Sequence, residues 1–197
     1  MSTAPFRPFD TRLDRDRALA VLTAATAGAD DGELFLERSR SESLTFDDGR
    51  LRNASYDASE GFGLRAVRGE VTGYAHSTEI SEAALTRAAE TARLAVAEGG
   101  GTLAAAPAPT NRRLYADLDP IAGAEYPVKV ETLRAIDAYA READPRVVQV
   151  TASLSAACRE IAILRPDGSL VADTQPMVRL NVSVIVEEDG RREAGAA

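Results

Sequence analysis

Residues 61–77, GFGLRAVRGEVTGYAHS, constrain the fold more than any other segment. Two runs with β character, 62–67 and 71–75, flank Arg68-Gly69-Glu70, a link with the length and glycine content of a hairpin connection. Glycines also occupy positions 61, 63 and 73, inside or beside these runs. Glycine weakens a strand and is tolerated where the backbone bends or another segment approaches closely. The segment therefore predicts a bent antiparallel hairpin.

A longer β pattern precedes this hairpin. Near both ends of residues 33–46, every second residue is leucine or phenylalanine. Charged residues occupy the same alternate positions in the middle of this segment. We expect a long strand whose central part faces water on both sides. Asp47-Asp48-Gly49 predicts a turn, and residues 51–56 then return antiparallel. Residues 33–77 are thus predicted to form a four-strand meander.

Helices and further strands surround this meander. Three helices are predicted: from a cap at Asp10 or Thr11 to about Thr26, from Glu82 to Glu98 with Ser81 as N-cap, and from Val128 to Ala143. The triplet Gly99-Gly100-Gly101 ends the second helix, and residues 102–126 form a connector. Further strands are predicted at 147–156, 160–164, 170–173 and 177–187, with a return strand that begins at Arg191. Because the helices are segregated from antiparallel runs, we predict an α+β fold in which antiparallel β meanders pack with about three helices.

The charge of the chain narrows its possible partners. The formal net charge is −8, and an acidic surface repels the phosphates of nucleic acids. No basic cluster larger than Arg112-Arg113 or Arg191-Arg192 offsets this charge. No run approaches the roughly 18 apolar residues of a membrane span, and the first residues lack the apolar core of a signal peptide. We expect a soluble, cytoplasmic protein that binds neither nucleic acid nor membrane.

The sequence contains few residues suited to catalysis. A hydrolytic zinc site needs about three protein ligands, whereas the chain has one histidine, His76, and one cysteine, Cys158. We interpret His76 as a surface or hydrogen-bonding residue at a strand end, and Cys158 as a half-buried apolar residue at a strand edge. An adjacent arginine can activate a thiol, so a reactive Cys158 stays open as an alternative. We predict no catalytic residue, metal ligand or cofactor site in this chain.

The order and spacing of six segments resemble those of the TldD/PmbA family of metallopeptidase subunits. These segments are ELFLERSRSESLTFDDGRL, GFGLRAVRGEVTGYAHS, LTRAAETARLA, LYADLDP, KVETLRAIDAYAREADPRVVQV and DTQPMVRLNVSVIVEEDGRRE. The resemblance extends from about residue 29 to residue 193, and its last segment is more similar to the TldD branch than to the PmbA/TldE branch.

The resemblance implies an intracellular dimeric metallopeptidase in which TldD pairs with a PmbA/TldE partner and cuts peptides or unfolded proteins. In that family an H-E-x-x-x-H helix and a further residue, all in a C-terminal domain, bind zinc. No histidine follows His76 in this chain, so no metal or catalytic residue is carried over. We therefore expect residues 1–197 to be the N-terminal domain, inactive alone, with the C-terminal zinc peptidase domain absent.

A contact role remains for such a domain, because an exposed strand edge can accept an extended peptide. We expect the hairpin to help shape a substrate channel or a subunit contact through Gly61, Gly63, Arg65 and Gly73. The expected partners are a PmbA/TldE-like subunit or a second copy of the chain, and a peptide substrate in the full-length protein. Two alternatives stay open: a stand-alone interaction module with the family fold and no peptidase activity, and a thiol enzyme that uses Cys158.

Overall fold

The structure is a computed structural model, and it describes residues 5–97, 115–116 and 118–197. The described helices are α1 (Pro8–Thr11), α2 (Arg15–Ala25), α3 (Glu82–Ala95) and α4 (Tyr126–Ala143). The described strands are β1 (Asp31–Asp47), β2 (Arg50–Arg68), β3 (Val71–Ser77), β4 (Val147–Leu164), β5 (Leu170–Glu188) and β6 (Arg191–Ala196). The predicted helix stop at 99–101 and most of the predicted connector lie outside the described residues.

The described strands form one sheet in the order β3-β2-β1-β4-β5-β6. β2 pairs antiparallel with β3, and β5 pairs antiparallel with β6. Strands that follow one another in the chain are neighbours on each side of the central β1–β4 pair, as expected for two meanders. The predicted α+β class is confirmed.

The strands are fewer and longer than predicted. The predicted pairs 51–56 with 62–67, 147–156 with 160–164, and 170–173 with 177–187 are the single strands β2, β4 and β5. The four-strand meander over residues 33–77 is therefore wrong, because that region forms three strands. Among the described residues, positive φ angles occur at 28, 48, 49, 69, 168, 189 and 190, none of them inside these strands. The residues between the predicted runs, 57–61, 157–159 and 174–176, thus stay in extended backbone.

The chain divides into two compact units. Among the described residues, unit 1 contains residues 5–39, 59–97, 115–116 and 159–174. Unit 2 contains residues 40–58, 118–158 and 175–197. The strands β1, β2, β4 and β5 each contribute one part to each unit.

Unit 1 buries a hydrophobic cluster between its helices and its part of the sheet. Its largest fully buried side chains are Leu22, Leu34, Leu36, Leu64, Leu85 and Leu164. Burial of one such side chain is worth about 1.5–3 kcal/mol relative to exposure. Alanines from α2 and α3 complete the cluster and let the helices lie close to the strands.

The N-terminal region forms two helices where one was predicted. The helix expected from Asp10 or Thr11 to Thr26 is split into α1 and α2. Asp14 caps α2, since its carboxylate accepts a hydrogen bond from the backbone N of Arg17 at 2.9 Å. A side-chain acceptor at this position satisfies an amide that has no partner inside the helix. The cap predicted for α3 is confirmed, because Ser81 accepts a hydrogen bond from the N of Ala84.

Unit 2 has a smaller hydrophobic cluster beneath α4. Its buried residues are Leu44, Phe46, Leu133 and Ala152, and Ile136, Leu154 and Val182 pack against them partly buried. The helix begins beside Pro127, whose fixed φ suits the first helical turn. Its predicted end at Ala143 is confirmed.

The predicted two-sided exposure at the centre of β1 is wrong, because the charged side chains there are ion-paired and largely buried. In unit 1 the guanidinium of Arg38 donates to Glu160 at 2.8 Å, and the two side chains are 15% and 10% exposed. The guanidinium also lies 5.5 Å from the ring centroid of Phe6. The backbone N of Phe6 donates to Glu160 Oε1 at 2.8 Å. The N-terminal segment is therefore held on this ion pair.

In unit 2 the same phase of β1 continues with two more charged side chains. Arg40 pairs with Asp119 at 2.8 Å, and Glu42 pairs with the buried Lys129 at 3.0 Å. Burial is the largest influence on the pKa of Asp119 and raises it. Hydrogen bonds from Arg40 and from two backbone amides outweigh burial, so the pKa of Asp119 is lowered. These partners are remote in sequence, which is why the pattern of β1 alone suggested solvent.

Candidate functional site

The predicted hairpin is confirmed as β2 and β3, joined through Gly69 and Glu70. The register pairs Gly63 with His76, Arg65 with Tyr74, and Arg68 with Val71. The carboxylate of Asp30 accepts a hydrogen bond from the N of Gly69 at 2.5 Å. The N of Asp30 donates to the carbonyl of Val67 at 2.7 Å. The tip of the hairpin is therefore anchored to the segment that precedes β1.

Close packing accounts for two of the predicted contact glycines. A Cβ at Gly73 would lie 2.2 Å from the carbonyl oxygen of Ala92, so α3 approaches β3 at a distance that only glycine permits. A Cβ at Gly63 would lie 2.6 Å from the hydroxyl of Tyr74, whose side chain crosses that position. Gly63 and Gly73 are both buried in this chain. A partner that reaches the hairpin would therefore meet the neighbouring side chains first.

Ion pairs hold the third predicted contact residue, Arg65. Its guanidinium donates to Asp31 at 2.7 Å and to Glu33 at 3.2 Å. Arg165 donates to the other carboxylate oxygen of Asp31 at 2.8 Å. The side chain of Arg65 is 36% exposed and fixes β2 to β1. The predicted contact role of Gly61, Gly63, Arg65 and Gly73 stays a prediction.

Two ring side chains on β3 face solvent. Tyr74 is 59% exposed, and its ring stacks on that of His76 with centroids 5.7 Å apart. Residues two apart in a strand lie on the same face, so the two rings lie together on one face of β3, beside Gly63. His76 is exposed at the end of β3, as expected from the sequence.

A groove of about 410 Å³ runs between β3 and α3. Residues 74–77 of the strand line one side, and Ala84, Arg87, Ala88 and Thr91 of the helix line the other. Ala84 and Ala88 are buried, so the helix wall has small side chains at its base. Arg87 lies at the rim, 3.8 Å from Glu79 in a pair that is about two-thirds exposed on both sides. Sequence reasoning missed this groove, because the sequence shows Tyr74 and the alanines of α3 but not that the helix packs beside β3.

The described residues do not fit a zinc site. No group of three or more histidine, cysteine, aspartate or glutamate side chains that could hold a metal ion is found in the part of the chain that the structure describes. Cys158 lies inside β4 and is 1% exposed, so its predicted half-burial at a strand edge is wrong. A thiol this buried is poorly placed to meet a substrate.

No helix in residues 5–97 and 118–197 is long and apolar enough to span a membrane.

Family models match most of the chain. The model described as PmbA/TldA metallopeptidase domain 1 matches residues 32–96. The model described as the PmbA/TldA metallopeptidase central domain matches residues 119–197. The first begins near the start of β1 and ends after α3, and the second begins shortly before α4.

Curated relatives described as metalloprotease TldD homologues are similar to this chain. The Haemophilus influenzae protein is 38% identical over 172 residues, which cover 85% of this chain and 35% of that protein. The protein of Buchnera aphidicola from Acyrthosiphon pisum is 32% identical over 183 residues, covering 92% of this chain and 38% of that protein. The chain thus spans little more than a third of the length of the curated relatives it matches.

Solved structures share the fold. A Thermotoga maritima protein described as a modulator of a DNA gyrase superposes with a TM-score of 0.73 at 16% identity, covering 92% of this chain and 41% of that one. TldE from Thermococcus kodakarensis gives a TM-score of 0.70 at 16% identity, covering 92% of this chain and 42% of that one.

Proposed function

Since the chain belongs to the PmbA/TldD metallopeptidase family, we propose that it is the non-catalytic N-terminal part of a TldD-like subunit. The complete enzyme would be a zinc metallopeptidase that degrades or processes peptides and unfolded proteins. One observation carries this proposal: two consecutive family models account for most of the chain, yet the described residues offer no set of metal ligands.

The zinc of the complete enzyme would be held outside this chain. A hydrolytic zinc ion needs about three nitrogen, sulfur or carboxylate ligands with one position open. The only histidine is exposed at the end of β3, and the only cysteine is buried inside β4. We therefore expect this chain alone to have no peptidase activity.

The proposed role of this part is to contribute to the substrate channel and to subunit contacts. The likeness to TldE supports a PmbA/TldE-like partner or self-association. The exposed edge of β3 supports a contact with an extended peptide. The net charge of −8 supports the proposal that nucleic acid is not a partner. A cytoplasmic location and a dimeric state are part of the same proposal.

The alternative is a stand-alone interaction module that keeps the family fold without peptidase activity. The groove beside β3 is compatible with the stand-alone module as well as with the enzyme subunit, because binding in this groove would need no second domain. The DNA that follows the codon for Ala197 separates the two. An open frame that encodes an H-E-x-x-x-H motif supports the enzyme subunit. A stop codon directly after Ala197 contradicts it and supports the module.

A further inference from the structure

Lys129 is the only lysine among the 23 lysine and arginine residues of the sequence. It lies in the first turns of α4, and its side chain is 5% exposed. The ammonium donates to both carboxylate oxygens of Glu42 at 3.0 Å and to the carbonyl of Ile121 at 2.6 Å. An ammonium has three N–H donors, so each donor has an acceptor. A compact ammonium suits this site better than the planar guanidinium that the rest of the chain uses.

A second ion pair lies two residues away on the same face of β1. There the guanidinium of Arg40 donates to Asp119 at 2.8 Å, and both side chains are largely buried. The other carboxylate oxygen of Asp119 accepts hydrogen bonds from the N of Ile121 at 3.0 Å and the N of Ala122 at 3.3 Å. Asp119 therefore shapes the turn that presents the Ile121 carbonyl to the ammonium. The two ion pairs together hold residues 118–125 against β1.

Apolar packing contributes little to the position of residues 118–125. Among the described residues, the hydrophobic cluster of unit 2 contains none from this segment. Leu118 is 69% exposed, residues 122–125 are exposed, and Ile121 is half-buried. Separation from β1 would therefore expose little apolar surface, and the hydrophobic effect would oppose it only weakly. The charges that separate would regain hydration, which offsets much of their lost attraction.

We propose that residues 118–125 form an ionic latch, which opens from β1 and closes again while the rest of unit 2 stays folded. In the open form the side chains of Arg40, Glu42, Asp119 and Lys129 all reach water. Segments with few buried apolar contacts open at a lower free energy than the core around them. The inference goes beyond the proposed function and does not depend on it, because it concerns the motion of this chain alone.

The latch connects the two regions that the family models match. Arg40 and Glu42 belong to the first matched region, whereas Asp119 and Lys129 belong to the second. Opening would free the start of the second region from the first strand of the first region. The two ion pairs thus set a reversible position for the chain at the point where the second region begins.

The alternative is a segment that separates from β1 only when unit 2 unfolds. In that case, loss of Arg40 would leave the carboxylate of Asp119 buried without its cation, and the whole unit would be destabilised. With a latch, the segment opens and Asp119 reaches water. The stability lost by removal of Arg40 then cannot exceed the free energy of opening.

Chemical labelling of the only lysine measures the opening. The purified 197-residue chain is treated with the acetyl ester of N-hydroxysulfosuccinimide, and mass spectrometry gives the acetylated fraction of the peptide that contains Lys129. We expect acetylation at least about tenfold slower than for a free lysine side chain, as for an open form of about 10% or less. We also expect a rate that is independent of urea below the unfolding transition, because opening exposes little surface.

Two results of this measurement would overturn the proposal. A rate that rises with urea as steeply as global unfolding would show that Lys129 is reached only when unit 2 unfolds. A rate equal to that of a free lysine side chain would show that the closed form is not populated.

Variants separate a latch from a permanent contact. Arg40→Met and Asp119→Asn each remove one charge of the Arg40–Asp119 pair, and we expect each to raise the acetylation rate of Lys129 by about tenfold. Urea denaturation of Arg40→Met should show a loss of stability no larger than the opening free energy that labelling of the unmodified chain gives. Arg134→Met is the matched control, because it removes an exposed arginine pair on α4 and should leave the acetylation rate unchanged.

The variants can also contradict the latch. A loss of stability in Arg40→Met that exceeds the opening free energy, or failure of this variant to fold, would identify the pair as a permanent part of unit 2. An acetylation rate that neither Arg40→Met nor Asp119→Asn raises would show that these ion pairs do not control access to Lys129. Either result overturns the proposal.

Discussion

Replacement of Gly73 by alanine tests the close approach of α3 to β3. The new Cβ would lie 2.2 Å from the carbonyl oxygen of Ala92, which belongs to helix backbone and cannot rotate away. The helix would have to withdraw by about 1.2 Å or more to restore ordinary van der Waals contact. Such overpacking costs about 1–3 kcal/mol, whereas the loss of glycine freedom in the unfolded chain returns about 0.4–1 kcal/mol.

We therefore expect Gly73→Ala to lower the free energy of unfolding by about 1.3 kcal/mol, the difference between the midpoints of these two ranges. Urea denaturation followed by circular dichroism would show a lower midpoint with an unchanged slope.

Two other glycines serve as controls. A Cβ at Gly63 would meet the end of the Tyr74 side chain, which is exposed and can turn aside. A Cβ at Gly195 would meet no atom within 4 Å. We expect Gly63→Ala to cost less than about 1 kcal/mol and Gly195→Ala to cost nothing. If Gly73→Ala proves as stable as Gly195→Ala, the close approach of α3 to β3 is not real.

Two further predictions concern charged groups. Arg38→Met leaves the largely buried carboxylate of Glu160 without its guanidinium, and should cost about 3–5 kcal/mol in urea denaturation. Arg134→Met removes a pair about 60% exposed and should cost less than about 1 kcal/mol; equal losses would contradict the burial of the first pair. Hydrogen bonds from the side chain and backbone of Arg146 lower the pKa of Asp144 from 3.8 to about 2. Because the folded pKa lies below the unfolded one, the stability this carboxylate contributes is complete above about pH 4 and is lost as the pH falls towards 2. Carboxyl NMR titration should place its midpoint near 2, and a midpoint near 3.8 in the folded protein would refute the contact.

Local patterns predicted the hairpin and the phase of β1 because both depend on neighbouring residues. The glycine at position 69 and the β-forming runs beside it are sufficient to specify a tight connection. Alternation in β1 correctly indicated which side chains share a face. The burial of the charges in that face depended on partners such as Glu160 and Lys129, which lie far away in sequence.

The lengths of the strands and the candidate groove could not be predicted from the sequence, because both depend on contacts between segments that lie far apart in the chain. The sequence pattern divided β2, β4 and β5 each into two shorter runs, yet pairing with neighbouring strands keeps the backbone between the runs extended. The groove arises where α3 packs on β3, and that contact depends on Gly73 meeting Ala92. The sequence placed a glycine there and indicated a close approach, but it did not identify the segment that approaches.

Zinc content and peptidase activity, measured together on the purified 197-residue chain, test the central claim most directly. We predict metal well below one zinc per chain after dialysis, and no cleavage of an unfolded protein substrate. Stoichiometric zinc together with cleavage that a chelator abolishes would contradict the account, because the described residues would then have to supply ligands that the structure does not bring together.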